Sequence, residues 1–484
     1  MSEFEPVIGL EIHAELQTAS KMFCGCPVVD STSAEPNTAV CEICTGMPGT
    51  LPVINRRAVE YAVRVALALG CQIHPTSVFA RKNYFYPDLP KGFQISQYEL
   101  PLATDGALKY LVDGEAHIAR IRRVHLEEDT GKLFHNEGYS LVDYNRSGVP
   151  LLEIVSEPDL HSVSEASAYA TAMRIILQYL GVNSGDMEKG VIRFEANVSL
   201  RRKDSQDLNT RVEIKNLNSF RAMARSIAHE IERQSGRLSS GLPVEQETLG
   251  WDEARQVTVP QRGKEEANDY RYFPEPDLPP LAVSSGWIDE IRRDLPELPL
   301  AKRQRFMEEY HLPADQADVL VGDRAVAEYF EAAVGAAGDA LPEKVGNWLT
   351  GELFSLLNQA GVSLPDSPIE PAALADLVRR VEDGEINAST GKDVLDEAFR
   401  TGRTPSAILQ AADLSQENDP ATIGRLVDRV IQDNPKQVET YLLGKETVAQ
   451  WFFGQVMRAS QGRANPQIVR SELNRALSGL RPEQ

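Results

Sequence analysis

The sequence Val7-Ile-Gly-Leu-Glu-Ile-His-Ala-Glu-Leu16 decides the fold of the first part of the chain, because it alternates strictly between two kinds of residue. Every second residue from Ile8 to Leu16 is apolar. The residues between them are Gly9, Glu11, His13 and Glu15. Successive side chains of a β-strand point to opposite faces of a sheet, so this pattern predicts a strand with one buried face and one face of acids and imidazole.

Two later stretches, residues 192–200 and 212–215, repeat this alternation. Their polar positions are Arg193, Glu195, Asn197 and Ser199 in the first stretch, and Glu213 and Lys215 in the second. A packed core needs only the apolar halves of such strands, so we predict that the charged halves line a cleft. For any one strand taken alone, a solvated sheet face is the alternative.

Helices separate these strands, and capping residues mark their ends. Asn55 is a suitable N-cap for a helix that ends before Gly70. The capping box Ser162-x-x-Glu165 begins a second helix, which stops at Gly181. Strands and helices therefore interleave up to about residue 275, which predicts an α+β domain.

Proline-rich segments divide the chain further. Prolines crowd residues 273–280, and after Ala301 the composition is typical of helices. A second linker is predicted at residues 401–420. The sequence thus predicts three domains: a mixed α+β domain at 1–292, an all-α domain at 293–405 and a small all-α tail domain at 406–484.

The charge of the chain limits its partners. The 484 residues include 50 Lys and Arg against 71 Asp and Glu, a formal net charge of −21. This charge disfavours nonspecific binding to DNA or to an anionic membrane. Residues 441–484 depart from it, with six basic residues against three acidic ones. We therefore expect contact with nucleic acid to use this tail.

Cysteine usage indicates a metal site in a reducing compartment. Four of the five cysteines form two close pairs, Cys24-x-Cys26 and Cys41-x-x-Cys44. Two such pairs suit a closed, structural zinc site, and the alternative is four reduced cysteines in a loop. Because the first residues, Met1–Pro6, lack the basic and apolar regions of an export signal, we expect no export. No apolar run reaches the ~18 residues of a membrane span. We therefore expect a cytoplasmic protein that does not associate with membranes.

The charged face of the first strand carries ligands for a divalent metal ion. Glu11 and Glu15 flank His13 on that face, and Mg²⁺ or Mn²⁺ bound there would keep positions open for nucleotide phosphates. The sequence has no Walker A motif, no dinucleotide-binding motif and no nucleophile elbow. The pattern therefore indicates a metal and phosphate cleft, with basic partners for phosphate available at Lys82, Lys91, Arg120, Arg122, Arg193 and Lys215.

Long motifs extend this interpretation over nearly the whole chain. They are Val7–His13, Arg81–Asp88, Pro90–Gln97, His125–Asp129, Leu152–Asp159, Glu213–Phe220, Asp269–Asp277, Gly454–Met457 and Gln461–Gln467. Together these motifs resemble the GatB family, the B subunits of aspartyl/glutamyl-tRNA amidotransferases.

The resemblance implies a cradle domain similar to the catalytic fold of glutamine synthetase, an antiparallel sheet with helices, followed by the helical and tail domains. It implies that the cradle uses ATP and Mg²⁺ (or Mn²⁺) to phosphorylate the side-chain carboxylate of Glu-tRNA(Gln) and/or Asp-tRNA(Asn). Ammonia then forms the amide, which is the reaction of an ATP-dependent carbon–nitrogen ligase with glutamine as amido donor. The implied partners are an amidase (glutaminase) subunit and a small third subunit, which form a heterotrimer with an ammonia tunnel.

The resemblance also implies roles for single residues. It places metal ligands at Glu11, His13, Glu128 and Glu153, and a catalytic lysine at Lys82. Simple alternation would turn Glu128 toward the apolar face, so its role requires a bulge or a strand end. The other expected site residues are Cys24, Cys26, Cys41 and Cys44 for structural zinc, Arg120, Arg193 and Lys215 for nucleotide, and Arg458, Arg463 and Asn465 for the tRNA backbone.

Two other hypotheses remain open from the sequence. A free-standing amide ligase of the glutamine synthetase type explains the metal face but gives the helical domain and basic tail no role. A non-catalytic tRNA-binding scaffold with zinc leaves Glu11 and His13 unexplained.

Overall fold

A computed structural model describes most of the chain, and it divides into two compact units, Met1–Leu300 and Ala301–Gln484. No helix within its described part is long and apolar enough to cross a membrane. The residues described are 3–205, 207–262, 270–338, 341–412, 417, 419–443, 445, 447–460 and 463–480.

The first unit contains all the strands of the described residues. They are β1 Phe4–Glu15, β2 Gln72–Ile73, β3 Thr76–Ser77, β4 Phe79–Asn83, β5 Phe93–Gln97, β6 Ala103–Val112, β7 Glu115–Glu128, β8 Lys132–Asn136, β9 Tyr139–Asp143, β10 Pro150–Ser156, β11 Ile192–Arg202, β12 Val212–Leu217, β13 Thr248–Asp252, β14 Val257–Arg262, β15 Phe273–Pro274 and β16 Leu281–Ala282.

Helices occur in both units. In the first they are α1 Arg56–Ala68, α2 Val163–Tyr179, α3 Phe220–Ser239 and α4 Ser285–Arg293, and α5 Pro299–Glu309 leads into the second. The second contains α6 Ala314–Val321, α7 Arg324–Ala337, α8 Pro342–Asn347, α9 Phe354–Ala360, α10 Pro371–Glu382, α11 Ala388–Thr401, α12 Pro405–Ala412, α13 Pro420–Gln432, α14 Pro435–Leu442, α15 Val448–Ala459 and α16 Pro466–Gly479, with a π-helical turn at Trp348–Leu353 and a 3₁₀ turn at Leu364–Asp366.

The principal sheet has nine strands in the order β14-β13-β12-β11-β1-β10-β7-β6-β2. All neighbours in it run antiparallel except β12 and β13, which are parallel. The first strand of the chain therefore lies between β10 and β11, whose residues come more than a hundred positions later. This confirms the mixed α and β character predicted from the sequence.

The alternation of β1 places its apolar residues in the core. Ile8, Leu10 and Ile12 are fully buried and share one hydrophobic cluster with residues of α1, α2 and α3, such as Met173 and Met223. Burial of such side chains contributes about 1.5–3 kcal/mol each. The helices therefore cover one face of the sheet, and the charged residues of β1 lie on the other.

The capping residues act as the sequence predicts. The Asn55 side chain accepts hydrogen bonds from the first turn of α1, and Gly70 beyond its end has a φ of +64°. Ser162 caps α2 by accepting from the Glu165 backbone N–H, while the Glu165 carboxylate accepts from the His161 N–H. These hydrogen bonds satisfy backbone groups that the helix itself leaves free.

The predicted linker at 401–420 is wrong in its first half, because α12 occupies Pro405–Ala412. Thr404 accepts a hydrogen bond from the Ala407 N–H, Pro405 is the first helical residue, and Ile408 is buried. Proline is favoured at this first position, so the Thr-Pro pair marked a helix start. Since α12 contacts α10 and α11, the predicted boundary at 405/406 falls at the beginning of a packed helix.

The last four helices have a core of their own, which contains Val427, Phe452, Val456 and Leu473. The three-domain division of the chain stays a prediction.

Candidate active site

Register brings residues from four strands onto the charged face of the principal sheet. His13 on β1 is paired with Glu153 on β10 and with Arg193 on β11. Glu153 is paired in turn with His125 on β7. Directly opposed residues in a sheet lie on the same face, so these side chains form a row across the strands.

Imidazole and carboxylate groups meet in the middle of this row. The Nε2 atoms of His13 and His125 lie 3.4 and 3.3 Å from the Glu153 carboxylate. The Glu127 carboxylate lies 3.9 Å from His13 Nε2. Ligand atoms of His13, Glu127 and Glu153 all lie within 4.8 Å of one another, an arrangement that can hold a metal ion. We call these three residues the first ligand group.

A second ligand group, made of carboxylates, lies two residues along β1 from His13. It consists of Glu11, Glu195 and Glu213, whose ligand atoms also lie within 4.8 Å of one another. Lys215 Nζ lies 2.8 Å from Glu195 and 3.0 Å from Glu213. The Asn197 side-chain amide donates a hydrogen bond of 2.9 Å to Glu11. The sheet thus holds two groups of acids side by side.

The electrostatics of the face indicate an excess of negative charge. Burial opposes protonation of His13, but its hydrogen bond with Glu153 and the nearby carboxylates raise the pKa of the imidazole to about 9. Burial, together with the charges of Glu153 and Glu195, raises the pKa of Glu11. Burial alone would raise the pKa of Glu153, yet His125 and His13 lower it well below its usual range. A divalent cation would relieve this repulsion.

The structure does not bring Glu128 to either ligand group. Its carboxylate lies 2.6 Å from Lys91 Nζ and accepts a hydrogen bond from the Ile95 backbone N–H. In the strand pairing, Leu151 opposes Glu127 and Pro150 opposes Glu128. No bulge intervenes in the register between Glu128 and Val124, so Glu127 faces the ligands and Glu128 faces away. The expectation for Glu128 is therefore corrected to Glu127.

Lys82, which belongs to β4, lies near the first ligand group. Its ammonium lies 4.9 Å from the centre of the Tyr270 ring and 6.0 Å from that of Tyr84. Burial opposes its charge, but Glu127, Tyr272 and Glu153 raise its pKa above the usual value. Within the described part of the chain, Lys82 forms no ion pair with a carboxylate. Its charge is therefore available to an anionic ligand.

The predicted nucleotide-binding arginines differ in their surroundings. Arg193 lies on the charged face but forms an ion pair of 2.7 Å with the buried Asp129. Burial and the charge of Asp129 raise the pKa of the neighbouring Glu15 to about 8. Arg120 donates two hydrogen bonds to Asp159, and its side chain is 69 % exposed. Arg120 is therefore not part of the row.

A different arginine lies beside the first ligand group. Arg123 on β7 has its Nη2 3.9 Å from Glu153, and its buried Nε has no hydrogen-bond partner among the described residues. Arg123, His125 and Glu127 occupy alternate positions of one strand, on the face that His13 shares. The same alternation that identified β1 would have found them.

The four paired cysteines form one cluster. Their sulfurs all lie within 4.8 Å of one another, and those of Cys41 and Cys44 are 3.9 Å apart. Sulfurs at the corners of a tetrahedron with metal bonds of ~2.3 Å are about 3.8 Å apart, so the cluster fits a structural metal ion. A hydrogen bond from Cys24 and, more weakly, the Lys21 ammonium lower the pKa of Cys44 to about 4 against the effect of burial.

The predicted tail residues lie at the ends of two helices. Arg458 is exposed in the last turn of α15. Asn465 is the N-cap of α16, and its side chain accepts a hydrogen bond from the Gln467 N–H. Arg463 is exposed, and its carbonyl accepts from the Glu417 N–H. Of the tail motif, Gln461 and Gly462 lie outside the described residues, as Asp269 does in its own motif.

These features are those of a mixed α/β protein whose main sheet gathers, beside lysine and arginine, two groups of side chains that could hold a metal ion. This is the side-chain set of metal-dependent enzymes that act on anionic substrates. The model of the GatB/GatE catalytic domain matches residues 6–289, and that of the GatB domain matches residues 328–477. The chain therefore belongs to the GatB family.

Curated relatives agree over their full length. The chain is 51 % identical to the B subunit of the aspartyl/glutamyl-tRNA(Asn/Gln) amidotransferase of Moorella thermoacetica, over 98 % of this chain and 100 % of the relative. It is 51 % identical to the protein of the same name from Thermomicrobium roseum, over 98 % and 99 %. The corresponding protein of Thermodesulfovibrio yellowstonii is 48 % identical, over 96 % and 98 %.

Proposed function

We propose that this chain is the subunit of a tRNA-dependent amidotransferase that phosphorylates and amidates the side-chain carboxylate of Glu-tRNA(Gln) and/or Asp-tRNA(Asn). The reaction consumes ATP, and glutamine hydrolysis in a partner subunit supplies the ammonia. The observation that carries the proposal is the pair of ligand groups on one sheet face, in a chain that matches B subunits over its full length.

The donor set supports Mg²⁺ or Mn²⁺ as the metal. The first ligand group offers one imidazole and two carboxylates, and the second offers three carboxylates, which are ligands suited to such ions. When bound, a divalent ion neutralises charge that develops on transferred phosphate. His13, Glu127 and Glu153 would hold one ion, and Glu11, Glu195 and Glu213 a second.

The side chains of this protein supply the remaining electrostatics. Lys82 and Arg123 lie close to the first ligand group, where they can pair with phosphate oxygens. Lys215 bridges two acids of the second ligand group, and with a cation held by those acids its ammonium would be available to a phosphate. No protein nucleophile is required, because the substrate carboxylate attacks the γ-phosphate directly and ammonia then displaces phosphate.

The remaining assignments follow the same family resemblance. The cradle is a fold of the glutamine synthetase type, and the cysteine cluster holds structural zinc. The chain works in the cytoplasm as one member of a heterotrimer, with an amidase partner, a small third chain and an ammonia tunnel between the active sites. Four thiols held as a reduced metal site suit that compartment.

The tail domain would bind the tRNA backbone. Arg458 and Arg463 are exposed there, in a segment with excess positive charge. Asn465 has a structural role as a helix cap, so we assign it to shaping the loop before α16. Backbone contacts of this kind recognise shape and weaken as salt concentration rises.

Amide formation on mischarged tRNA tests the proposal. The complex with its partner subunits is supplied with ATP, Mg²⁺ and ammonium chloride, which bypasses glutamine hydrolysis. We expect product from the wild type and loss of product in Glu11→Ala and His13→Ala, while glutaminase activity is retained. Glu60→Gln is the matched control, because Glu60 pairs with Arg57 and Arg64 on the outer side of α1.

Two results would contradict the proposal, and a third would invalidate the assay. Product that persists in both variants would move the chemistry away from this sheet face and leave the chain a tRNA-binding scaffold. Product formed on free glutamate without tRNA would indicate a small-molecule amide ligase. Loss of product in Glu60→Gln would mean that the assay reports stability instead of chemistry.

A further inference from the structure

Four tyrosines form a continuous row beside Lys82. Tyr84 and Tyr270 meet edge to face with ring centres 5.9 Å apart, and Tyr270 meets Tyr272 in the same way at 6.1 Å. Tyr272 then stacks on Tyr98, with ring centres 4.1 Å apart and planes only 5° from parallel. We call these residues the tyrosine row.

The outer end of the row is open to solvent. Tyr98 is 47 % exposed although one face of its ring is covered by Tyr272. A large aromatic ring with one stacked face and one wet face resembles an incomplete stack, which a further planar ring can extend. None of the four hydroxyls forms a hydrogen bond with another described residue, so hydrogen bonding does not explain why the rings are held here.

The backbone that presents the row is held in a costly conformation. Arg271, between Tyr270 and Tyr272, has a φ of +43°, which crowds any residue with a Cβ atom. Asn83 holds this turn: its backbone N–H donates to the Tyr270 carbonyl, and its side-chain amide donates to the carbonyls of Tyr270 and Arg271. Such conformations persist where the surrounding structure holds them, and they are common at functional sites.

Lys82 of the candidate active site lies beside the row. Lys82 lies 4.9 Å from the Tyr270 ring centre. The negative charges of Glu127 and Glu153, in the first ligand group, act to raise the pKa of both Lys82 and Tyr272. A ligand that stacked on Tyr98 would therefore have a cation and a metal-binding group along the row, which is the layout that a base linked to phosphates requires.

We propose that the tyrosine row is a stacking site for an adenine ring, with Tyr98 as the residue that the ring contacts. The inference rests on the proposed function, which provides two sources of adenine: ATP and the 3′-terminal adenosine of the charged tRNA. A tyrosine ring stacks on the flat face of a base, and ATP and the tRNA end both offer the same adenine ring for this contact.

Direct binding to the full complex tests this site. The variants are Tyr98→Leu, which removes the ring, and Tyr98→Phe, which keeps it, with Tyr139→Leu as a control because Tyr139 is 62 % exposed on a separate hairpin. The probes are ATP with inorganic triphosphate as its base-free counterpart, and a short RNA ending in CCA with the same RNA ending in CC.

We expect Tyr98→Leu to weaken binding of one adenine-bearing probe about tenfold. Tyr98→Phe and Tyr139→Leu should bind as the wild type does, and the base-free counterpart should not distinguish the variants. Weaker ATP binding assigns the row to the nucleotide, and weaker binding of the CCA RNA assigns it to the tRNA end. Unchanged binding of both probes overturns the inference, as does an equal loss in Tyr98→Phe or in the base-free probes.

The binding assay keeps this inference separate from the proposed function. If the wild type binds the probes in a Tyr98-dependent way but forms no amide, the proposed function fails and the stacking site stands. If amide forms normally and both probes bind Tyr98→Leu as tightly as the wild type, the stacking site fails alone.

Discussion

The cysteine cluster and the sheet face both bring together side chains that could hold a metal ion, yet the chain assembles them in opposite ways. All four cysteines come from 21 consecutive residues, in two short loops. The two ligand groups of the sheet draw on β1, β7, β10, β11 and β12, from Glu11 to Glu213. The first site is set by local spacing, and the second by strand register.

This difference determines how each site would respond to a shift in strand register. A cysteine cluster survives a shift of the surrounding sheet, because its ligands move together. A shift of one residue in β7 would exchange Glu127 for Glu128 and turn His125 to the opposite face. The sheet face is therefore the more sensitive of the two regions to single substitutions.

The largest expected effect tests that register directly. Glu127→Gln should lower ammonium-dependent amide formation roughly 100- to 1,000-fold without changing thermal stability, because it removes charge from the reaction centre. The measurement is initial rate with tRNA and ATP at saturation. Glu128→Gln is the matched variant: it leaves Lys91 buried without its partner, so it should lower the melting temperature and keep most of that rate. Equal loss of rate in both variants would refute the opposite orientation of the two acids.

The next effect concerns the cysteine cluster. Cys41→Ala should remove the bound metal and destabilise the first unit by about 2–4 kcal/mol, since metal loss frees a loop that the ion fixes. Metal content by elemental analysis and denaturant unfolding would be compared. Cys71→Ala, at the buried cysteine outside the cluster, should keep the metal. A Cys41→Ala protein with full metal content would rule out the four-sulfur site.

A smaller effect is expected at Lys21. This lysine is fully buried, and its ammonium lies 3.6 Å from Cys44 Sγ and 3.3 Å from the Tyr144 carbonyl. Its charge offsets that of the thiolates, so Lys21→Met should weaken zinc binding about tenfold. Competition with a coloured chelator measures this change. Lys132→Met, at a half-buried lysine that donates to the Ser31 carbonyl, should leave the zinc affinity unaltered. Unchanged affinity in Lys21→Met would assign that lysine to packing alone.

The smallest effect separates two arginines of the same strand. Arg120→Gln should change amide formation less than about twofold, because its exposed pair with Asp159 contributes little. Arg123→Gln should lower the rate about tenfold, since its guanidinium lies beside Glu153. Rates at saturating ATP and tRNA compare the two. The reverse ranking would place the phosphate-binding cation on the outer part of β7.

Much of the fold was predictable from local patterns. The strands at residues 7–16 and 192–200 and the Asn55 and Ser162 caps all depend on neighbours within a few residues. The order of strands was not predictable in this way. Nothing near Glu11 indicates that β10 and β11 will lie on its two sides, because that placement is fixed by packing across the whole sheet.

The candidate site shows the same division. Glu11, His13, Glu153 and the cysteines were found from spacing and family motifs, and the structure places each of them in a ligand group or the cluster. The choice between Glu127 and Glu128 required the register against Glu153. Arg120 was predicted as a nucleotide ligand from its charge alone. The structure shows that Arg120 forms an ion pair with Asp159, and that Arg123 is the arginine beside Glu153.

The central position of β1 also determines when this strand can pair during synthesis of the chain. Its partners reach as far as Val155 on one side and Arg202 on the other, so the ribosome must add nearly 190 further residues before the strand is paired on both sides. At 5–20 residues per second that is about 10–40 s. A strand containing Ile8, Leu10 and Ile12 has two open edges until β10 is made and one open edge until β11 is made, and open edges attract other unpaired strands. The central strand of the sheet therefore stays incompletely paired until β11 has been made.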